Sequence, residues 1–224
     1  MQLQSWFVLL LHVSLGSAMY DRALTVFSPQ GELLQVTYAE EAARRGSPVA
    51  AASNGRDCIA LCVAAPPWLG SHEDGGDQED TDTTNSSLSL LANSSESHRQ
   101  KLCKVDEHVW LAFAGLSADG RVLVGKVRLE CQQYRYTYGT APPVEHVTRF
   151  VSEMQHRYTR LGGARPFGVS CIVVGFDEEG HPRVFRNDPS GSFAEWRATA
   201  TGKDSPKAME VLEAKAEGLA GSSG

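Results

Sequence analysis

The feature of this sequence that most constrains its fold is the order of its predicted elements, in which two long helices follow one another between two groups of strands. Residues 116–134 and 144–160 each have helical apolar spacing, and Pro142-Pro143 stands at the start of the second helix. Residues 168–176, GVSCIVVGF, form an apolar run that predicts a buried strand. Two antiparallel sheets flanked by helices accommodate this order, so we expect an α+β domain.

The segment before the first strands predicts a turn followed by a helix. In Ser28-Pro29-Gln30-Gly31 the proline fixes φ and the glycine tolerates positive φ, which is typical of a reverse turn. Residues 32–45 then predict a helix, because acidic residues lead it and Arg44-Arg45 close it in agreement with the helix dipole. Gly46 suits the position that ends such a helix.

A β-hairpin is predicted next. Asn54-Gly55 separates two apolar runs, residues 49–52 and 58–63, and this is the strongest short signal for a hairpin. Cys58 and Cys62 would share one face of the second strand. The chain has five cysteines, an odd number without a close Cys-x-x-Cys pair. We therefore expect buried free thiols and no metal site.

The remaining elements are predicted from apolar patterning and turn chemistry. They are strands at residues 109–114, 183–186 and 193–200, turns at 177–180 and 188–191, and a last helix at 205–216. Helical spacing assigns a core face to each long helix: Val122, Val124, Val127 and Leu129 on the first, and Val147, Phe150, Val151, Met154 and Tyr158 on the second. We interpret both faces as core packing and not as ligand sites.

Two segments depart from this patterning. Residues 1–18 contain an apolar run and Gly16-Ser17-Ala18, which resemble a secretion signal with its cleavage site, but no Lys or Arg precedes the run. The alternative is that translation begins at Met19. Residues 65–99 are rich in acidic residues and Ser, and we expect a low-complexity insertion without defined structure in a domain of residues 19–224. The net charge of −6 argues against a broad nucleic-acid surface.

Three stretches of the sequence resemble one family closely. Residues 20–47, YDRALTVFSPQGELLQVTYAEEAARRGS, are similar to the N-terminal signature of proteasome α-type subunits. The resemblance resumes in LAFAGLSADGRVLV and in the stretch from VTRFVSEMQHRYTRLGG to FAEWRATATG. It implies the four-layer αββα sandwich of N-terminal-nucleophile hydrolases, which agrees with the predicted element order.

The resemblance implies a non-catalytic α-ring subunit of the 20S proteasome, with a gating role in ubiquitin-dependent protein degradation. The matching gate-ordering positions are Tyr20, Asp21, Pro29 and Tyr38, and the matching positions of the pocket that receives an activator's carboxylate are Gly46 and Lys101. The implied partners are neighbouring α subunits, the β ring and regulatory particles or other activators. Nucleic acid, membrane, cofactor and metal are not implied. The location would be cytoplasmic and nuclear, unless residues 1–18 are a true signal peptide.

The sequence departs from the family pattern at several places. Thr37 and Glu32 stand where the family usually has Glu and a basic residue, respectively. Residues 65–99 replace a shorter charged segment. After Gly202 the sequence no longer follows the family's further helices and closing strands. We therefore expect a C-terminally truncated version of the fold, which would leave sheet edges exposed.

Two other functions are compatible with parts of the sequence. The first is an N-terminal-nucleophile hydrolase, for which Ser47 would have to become the mature N-terminus. Pro48 follows this serine, and residues 64–66 offer no carboxylate at the end of the hairpin. The second is a secreted, glycosylated binding protein on the same fold, based on residues 1–18 and the sequons at Asn85 and Asn93.

Overall fold

A computed structural model describes residues 26–64, 101–161 and 163–220. Helix α1 (Leu34–Arg44) is followed by strands β1 (Val49–Ser53), β2 (Ile59–Val63), β3 (Leu102–Lys104) and β4 (Val109–Gly115), and then by helices α2 (Ser117–Tyr138) and α3 (Val144–Arg160). Strands β5 (Val169–Phe176), β6 (Pro182–Asn187), β7 (Phe193–Glu195) and β8 (Ala198–Thr201) precede helix α4 (Ser205–Ala220). The tandem helices between two groups of strands are therefore confirmed.

Five strands form one antiparallel sheet in the order β3-β4-β5-β6-β7. Its central strand, β5, is the apolar run predicted to be buried, and it pairs with β4 from Val109 opposite Gly175 to Gly115 opposite Val169. Seven of its eight residues are buried. Burial on both faces explains why the run is continuously apolar and does not alternate with polar residues.

Three strands form the second sheet, in the order β2-β1-β8. The predicted hairpin is confirmed, and Val49 pairs with Val63. Its loop spans residues 54–58 and is longer than a two-residue turn. The reason is that the Asn54 side-chain oxygen accepts hydrogen bonds from the backbone N–H groups of residues 56, 57 and 58, at 2.9 to 3.1 Å.

The two sheets pack face to face and helices cover them. The residues between the sheets are Val49, Ala51, Ala112, Ala114, Ile172, Val174 and Val184. Helices α2 and α3 cover the other face of the five-stranded sheet, in a core that includes Leu123, Val127, Val147, Val151, Leu111 and Phe113. On the far side, the Met209 sulfur of α4 accepts a hydrogen bond from the backbone of Ala200 in β8. These layers confirm the αββα sandwich.

One predicted strand is wrong in its extent. Residues 193–200 were expected to form one strand, but β7 and β8 belong to different sheets. The chain crosses between them at Trp196 and Arg197. The Trp196 N–H donates to Val184 O in the five-stranded sheet, and Arg197 O accepts from Ser53 N in the other. No Gly or Pro marks this crossing, so the sequence reads as continuous strand.

The predicted apolar face of the first long helix is wrong in part. Val122 and Leu129 are 52% and 63% exposed, whereas Val124 and Val127 are buried. The buried positions also include Leu123 and Cys131. Residues 122 and 124 lie about 200° apart around a helix at 100° per residue, so one packing face cannot bury both.

The predicted burial of the thiols holds for only some of the cysteines. All five are free, and Cys131 and Cys171 are buried, but Cys58 and Cys62 are exposed. Cys62 lies on β2, whose alternate residues face away from the core between the sheets. This position explains the exposure of its side chain.

Some sequence predictions fall outside the described residues. These are the signal-like residues 1–18, the insertion at 65–99 with both sequons, and the gate residues Tyr20 and Asp21. They stay predictions. In the ranges that are described, no helix combines the length and the apolar character that crossing a membrane would need.

Candidate functional site

The turn that leads into α1 is fixed by Ser28. The Gly31 N–H donates to Ser28 O at 2.8 Å, and the Glu32 N–H donates to Ser28 Oγ at 3.1 Å. Gly31 has a φ of 85°, a conformation that favours glycine. Pro29 is exposed at the tip. The predicted reverse turn is therefore present, and its proline is accessible at the surface of the chain.

Helix α1 presents Tyr38 away from the core of the chain. Ala39 and Ala43 are the buried residues of this helix. Tyr38 is 50% exposed, and Phe27, just before the turn, is 63% exposed. Tyr38 is therefore only half covered by its own chain. Two large side chains near the N-terminal turn are accessible to a neighbouring molecule.

The junction between α1 and β1 lies tightly against the ends of two other strands. The Gly46 N–H donates to Ala43 O at 3.0 Å, and Gly46 O accepts from Lys203 N at 2.8 Å. A Cβ on Gly46 would overlap the backbone of Gly115, at the end of β4. A Cβ on Gly202 would lie 2.8 Å from Ser47 O. Glycine is therefore required where these backbones meet.

Lys101 projects into this junction from the residue before β3. Its Nζ donates to Ser47 Oγ at 3.3 Å and to Gly115 O at 3.4 Å. We call the set Gly46, Ser47, Lys101, Gly115 and Gly202 the lysine pocket. The structure thus brings Lys101 beside the residue that follows Gly46, although 54 positions separate Lys101 from Ser47 in the sequence.

The ammonium of Lys101 lacks a charged partner in the described part of the chain. Both of its acceptors, a hydroxyl and a backbone carbonyl, are neutral and lie at the long end of the hydrogen-bond range. Burial lowers the pKa of Lys101, because desolvation disfavours the charged form. A negatively charged ligand group would supply charge compensation that the described residues do not give this half-buried cation.

Ser47 has the Lys101 ammonium beside its hydroxyl. N-terminal-nucleophile chemistry would also use the free amine of this residue. Ala64 stands at the end of the hairpin, with its N–H donating to Pro48 O at 3.0 Å. An alanine there supplies no carboxylate.

Sequence reasoning did not identify Asp119, a carboxylate that supports the lysine pocket from outside. Asp119 accepts two hydrogen bonds from the Arg165 guanidinium, at 2.6 and 2.7 Å, and one from Gly168 N at 3.0 Å. The hydrogen bond from Arg165 holds the pKa of Asp119 below its usual range. Gly168 in turn packs against Gly115. No local pattern marks this pair, which lies 46 positions apart.

A polar cleft beneath α1 was also missed. Glu40 of α1 faces Asp188, which accepts hydrogen bonds from Arg186 at 3.1 and 3.2 Å and from Ser170 Oγ at 3.3 Å. The pKa of Glu40 is raised, mainly by burial and further by the negative charge of Asp188. The negative charge of Asp188 thus disfavours the ionised form of Glu40, as burial does.

Comparison with known families agrees with this geometry. Residues 20–42 match the N-terminal signature of proteasome A subunits, and residues 81–219 match the proteasome subunit domain. The signature covers the Ser28–Gly31 turn and most of α1. The domain match covers all the described strands except β1 and β2.

Named proteins of similar sequence match most of the chain. Proteasome subunit alpha type-7 of Dictyostelium discoideum is 43% identical over 199 residues, which are 89% of this chain and 70% of that protein. Alpha type-7 of Solanum lycopersicum is 42% identical over 88% of this chain and 67% of its own length. Alpha type-8 of Mus musculus is 39% identical over 87% of this chain and 68% of its own length. With the αββα sandwich and the N-terminal signature, these similarities show that the chain belongs to the proteasome subunit family, as a member of its α type.

Proposed function

We propose that this α-ring subunit of the 20S proteasome acts in gating the entry pore and in docking activators, without catalysis of its own. The observation that carries the proposal is the lysine pocket, in which a half-buried ammonium lies beside the end of the α1 helix with only neutral acceptors from the described residues. A carboxylate would complete its hydrogen bonding and its charge.

The proposed gate is the segment that enters α1. Tyr20 and Asp21 supply phenol and carboxylate groups that can hydrogen-bond to neighbouring tails. Pro29 and Tyr38 support this role, because both are accessible on the isolated chain. The rigid turn at Ser28 would direct the preceding residues, since its hydrogen bonds fix the angle at which the chain leaves α1.

The proposed docking site is the lysine pocket. Lys101 would receive the C-terminal carboxylate of an activator such as a regulatory particle. Gly46 would contribute by allowing the α1–β1 junction to approach β4, which places Ser47 beside the ammonium. A group bound there would contact the C-terminal end of α1, and could thereby bias the gate segment at the other end of this helix.

The proposal includes the assembly and the setting of the subunit. An α-type subunit assembles with other α subunits and with β subunits in the core particle. We propose regulatory particles as further partners, protein degradation in the ubiquitin pathway as the process, and the cytoplasm and nucleus as the location. Catalysis would belong to other subunits of this threonine-protease complex.

A charge deletion in the lysine pocket tests the docking role. Reconstituted core particles that contain Lys101→Ala should lose activator-stimulated peptide hydrolysis through this subunit's pocket, as measured by activator titration. Lys104→Ala is the matched control, because Lys104 lies three residues further on and is exposed. Normal stimulation of the Lys101→Ala particles would exclude the docking role.

A further inference from the structure

A groove lies at the end of the five-stranded sheet that is opposite to the lysine pocket. It has a volume of about 490 Å³ and runs between the α2–α3 loop and the β5–β6 turn. Ala141, Pro142 and Pro143 line it from the loop, and Phe176 lines it from the end of β5. Phe176 is 36% exposed although it is a large apolar side chain. The groove therefore offers a mainly apolar surface that the described residues leave accessible.

The walls of the groove are fixed by contacts between the elements that form it. His108 Nε2 can donate to Pro142 O at 2.9 Å, which joins the turn before β4 to the α2–α3 loop. A Cβ on Gly175 would lie 2.6 Å from His108 O and 2.8 Å from a methyl carbon of Val144. These elements are thus in close contact beneath the groove. A ligand would find its walls already ordered, and this lowers the entropic cost of binding.

Acidic side chains form one side of the groove. Asp177, Glu178 and Glu179 line it directly after Phe176, and we call these three residues the acidic rim. Asp177 accepts a hydrogen bond from the His181 N–H at 2.6 Å and lies 3.8 Å from Arg183, so its charge is partly balanced. Glu178 and Glu179 are exposed, and neither forms an ion pair with another of the described residues. The groove therefore combines an apolar floor with negative charge that is available to a ligand.

We propose that this groove is a docking site for a basic, extended segment of a partner protein. An apolar side chain of the segment would pack on Pro142, Pro143 and Phe176, and a neighbouring Lys or Arg would pair with the acidic rim. Residues 65–98 of the chain itself contain no Lys or Arg, so their charge has the same sign as the rim. The net charge of −6 likewise opposes a second copy of the chain as the occupant. Charge complementarity thus favours a basic segment of another protein.

The groove and the lysine pocket are separate sites. Strand β4 pairs with β5 from Val109 opposite Gly175, at the groove, to Gly115 opposite Val169, at the lysine pocket. Between these two ends the strand advances by about 20 Å. A segment bound in the groove would therefore leave the lysine pocket open, and this inference does not rest on the proposed function.

Peptide binding by the full chain tests the proposal. The probes are short fluorescein-labelled peptides in which Lys or Arg flanks Pro, Leu or Phe, and a matched set has Glu in place of the basic residues. Fluorescence anisotropy should show saturable binding of basic peptides and none of the acidic ones. Added salt should weaken this binding, because the acidic rim is exposed to solvent. Failure of the whole basic set to bind, or equal binding of the acidic set, would overturn the assignment.

Charge variants show whether the peptides bind at the acidic rim. The double variant Glu178→Gln/Glu179→Gln should weaken binding by roughly threefold or more, because two exposed ion pairs are lost. The matched control Glu210→Gln/Glu213→Gln removes the same charge from exposed positions of α4 and should leave the affinity unchanged. Equal effects of the two double variants would indicate a general effect of net charge and would overturn the site. Self-association of the chain that Glu178→Gln/Glu179→Gln abolishes would identify a second copy as the occupant and would overturn the proposed partner.

An apolar substitution tests the floor of the groove. Phe176→Ala should weaken peptide binding by roughly threefold or more, because the apolar area that the peptide covers becomes smaller. Phe193→Ala is the matched control, since Phe193 is 37% exposed and lies on β7, outside the groove. Binding by Phe176→Ala with the affinity of the wild type would mean that the peptides do not occupy the groove.

Discussion

At the scale of single residues, glycines set how closely the backbone packs around Lys101. We expect Gly46→Ala to destabilise the full chain by about 1–3 kcal/mol, because the added Cβ overlaps Gly115 and the backbone must move. The control is Gly125→Ala on α2, where an added Cβ meets nothing within 4 Å. This change should stabilise the chain by about 0.5–1 kcal/mol through helix propensity. Urea denaturation measures the free energy of unfolding of both variants. Equal changes in the two would contradict the close packing described around Gly46.

Asp119 is the residue whose contribution should depend most clearly on pH. We expect Asp119→Asn to lower the free energy of unfolding by about 1–3 kcal/mol at pH 7, because the variant loses the negative charge and one of the two oxygens that accept hydrogen bonds from Arg165 and Gly168. Since the folded-state pKa is lowered, the contribution is complete above the unfolded-state pKa of about 3.9 and is lost as the pH falls through the folded-state pKa.

The difference in the free energy of unfolding between wild type and Asp119→Asn should therefore become smaller toward pH 3. Urea midpoints at a series of pH values measure this, with Glu145→Gln as control. Glu145 pairs with Arg149 on the exposed surface of α3, where an ion pair contributes about 0.3–0.5 kcal/mol. A difference between wild type and Asp119→Asn that stays constant with pH would mean that the charge of Asp119 is not what stabilises the fold.

At the scale of elements, α2 provides a direct test of which helix face is the core. Val127 is fully buried and Val122 is 52% exposed, although both were assigned to the core from the sequence. We expect Val127→Ala to cost about 1–3 kcal/mol through the lost methyl groups and the cavity they leave, and Val122→Ala to stay within about 0.5 kcal/mol. Chemical denaturation gives the free energy of unfolding of both variants. Similar decreases in the two would mean that α2 is rotated from its described orientation.

Helices, strands and their buried faces could be predicted from the sequence wherever the apolar pattern had only one interpretation. The β5 run and the α3 face, with Val147 and Val151 fully buried, have a clear pattern. In α2 the apolar residues occur on both sides of the helix, so periodicity alone could not select Leu123 and Cys131 over Val122 and Leu129. The change of sheet at Trp196 was not predictable, because pairing partners decide it and no turn residue marks it.

At the scale of the whole molecule, the site depends on contacts between distant parts of the chain. Lys101 and Gly46 were predicted from family resemblance, but the hydrogen bonds of the ammonium to two neutral acceptors, Ser47 Oγ and Gly115 O, could be seen only in the folded structure. The support of this pocket through Asp119, Arg165 and Gly168 was not predictable, because it combines residues of α2 with the segment before β5. Local patterns indicate elements, whereas long-range pairs appear only when the elements are packed.

The proposed gate segment would act in the assembled ring, where it would restrain substrate entry. Each hydrogen bond from Tyr20 or Asp21 to a neighbouring tail would contribute about 0.5–1.5 kcal/mol, so several together could keep a pore closed and an activator could still open it. Deleting residues 19–28 should therefore raise basal peptide hydrolysis by reconstituted particles. Ser47→Ala is a control that should keep the activity of the active sites. Equal basal rates with and without residues 19–28 would count against the gate, and loss of hydrolysis in Ser47→Ala would indicate a catalytic serine.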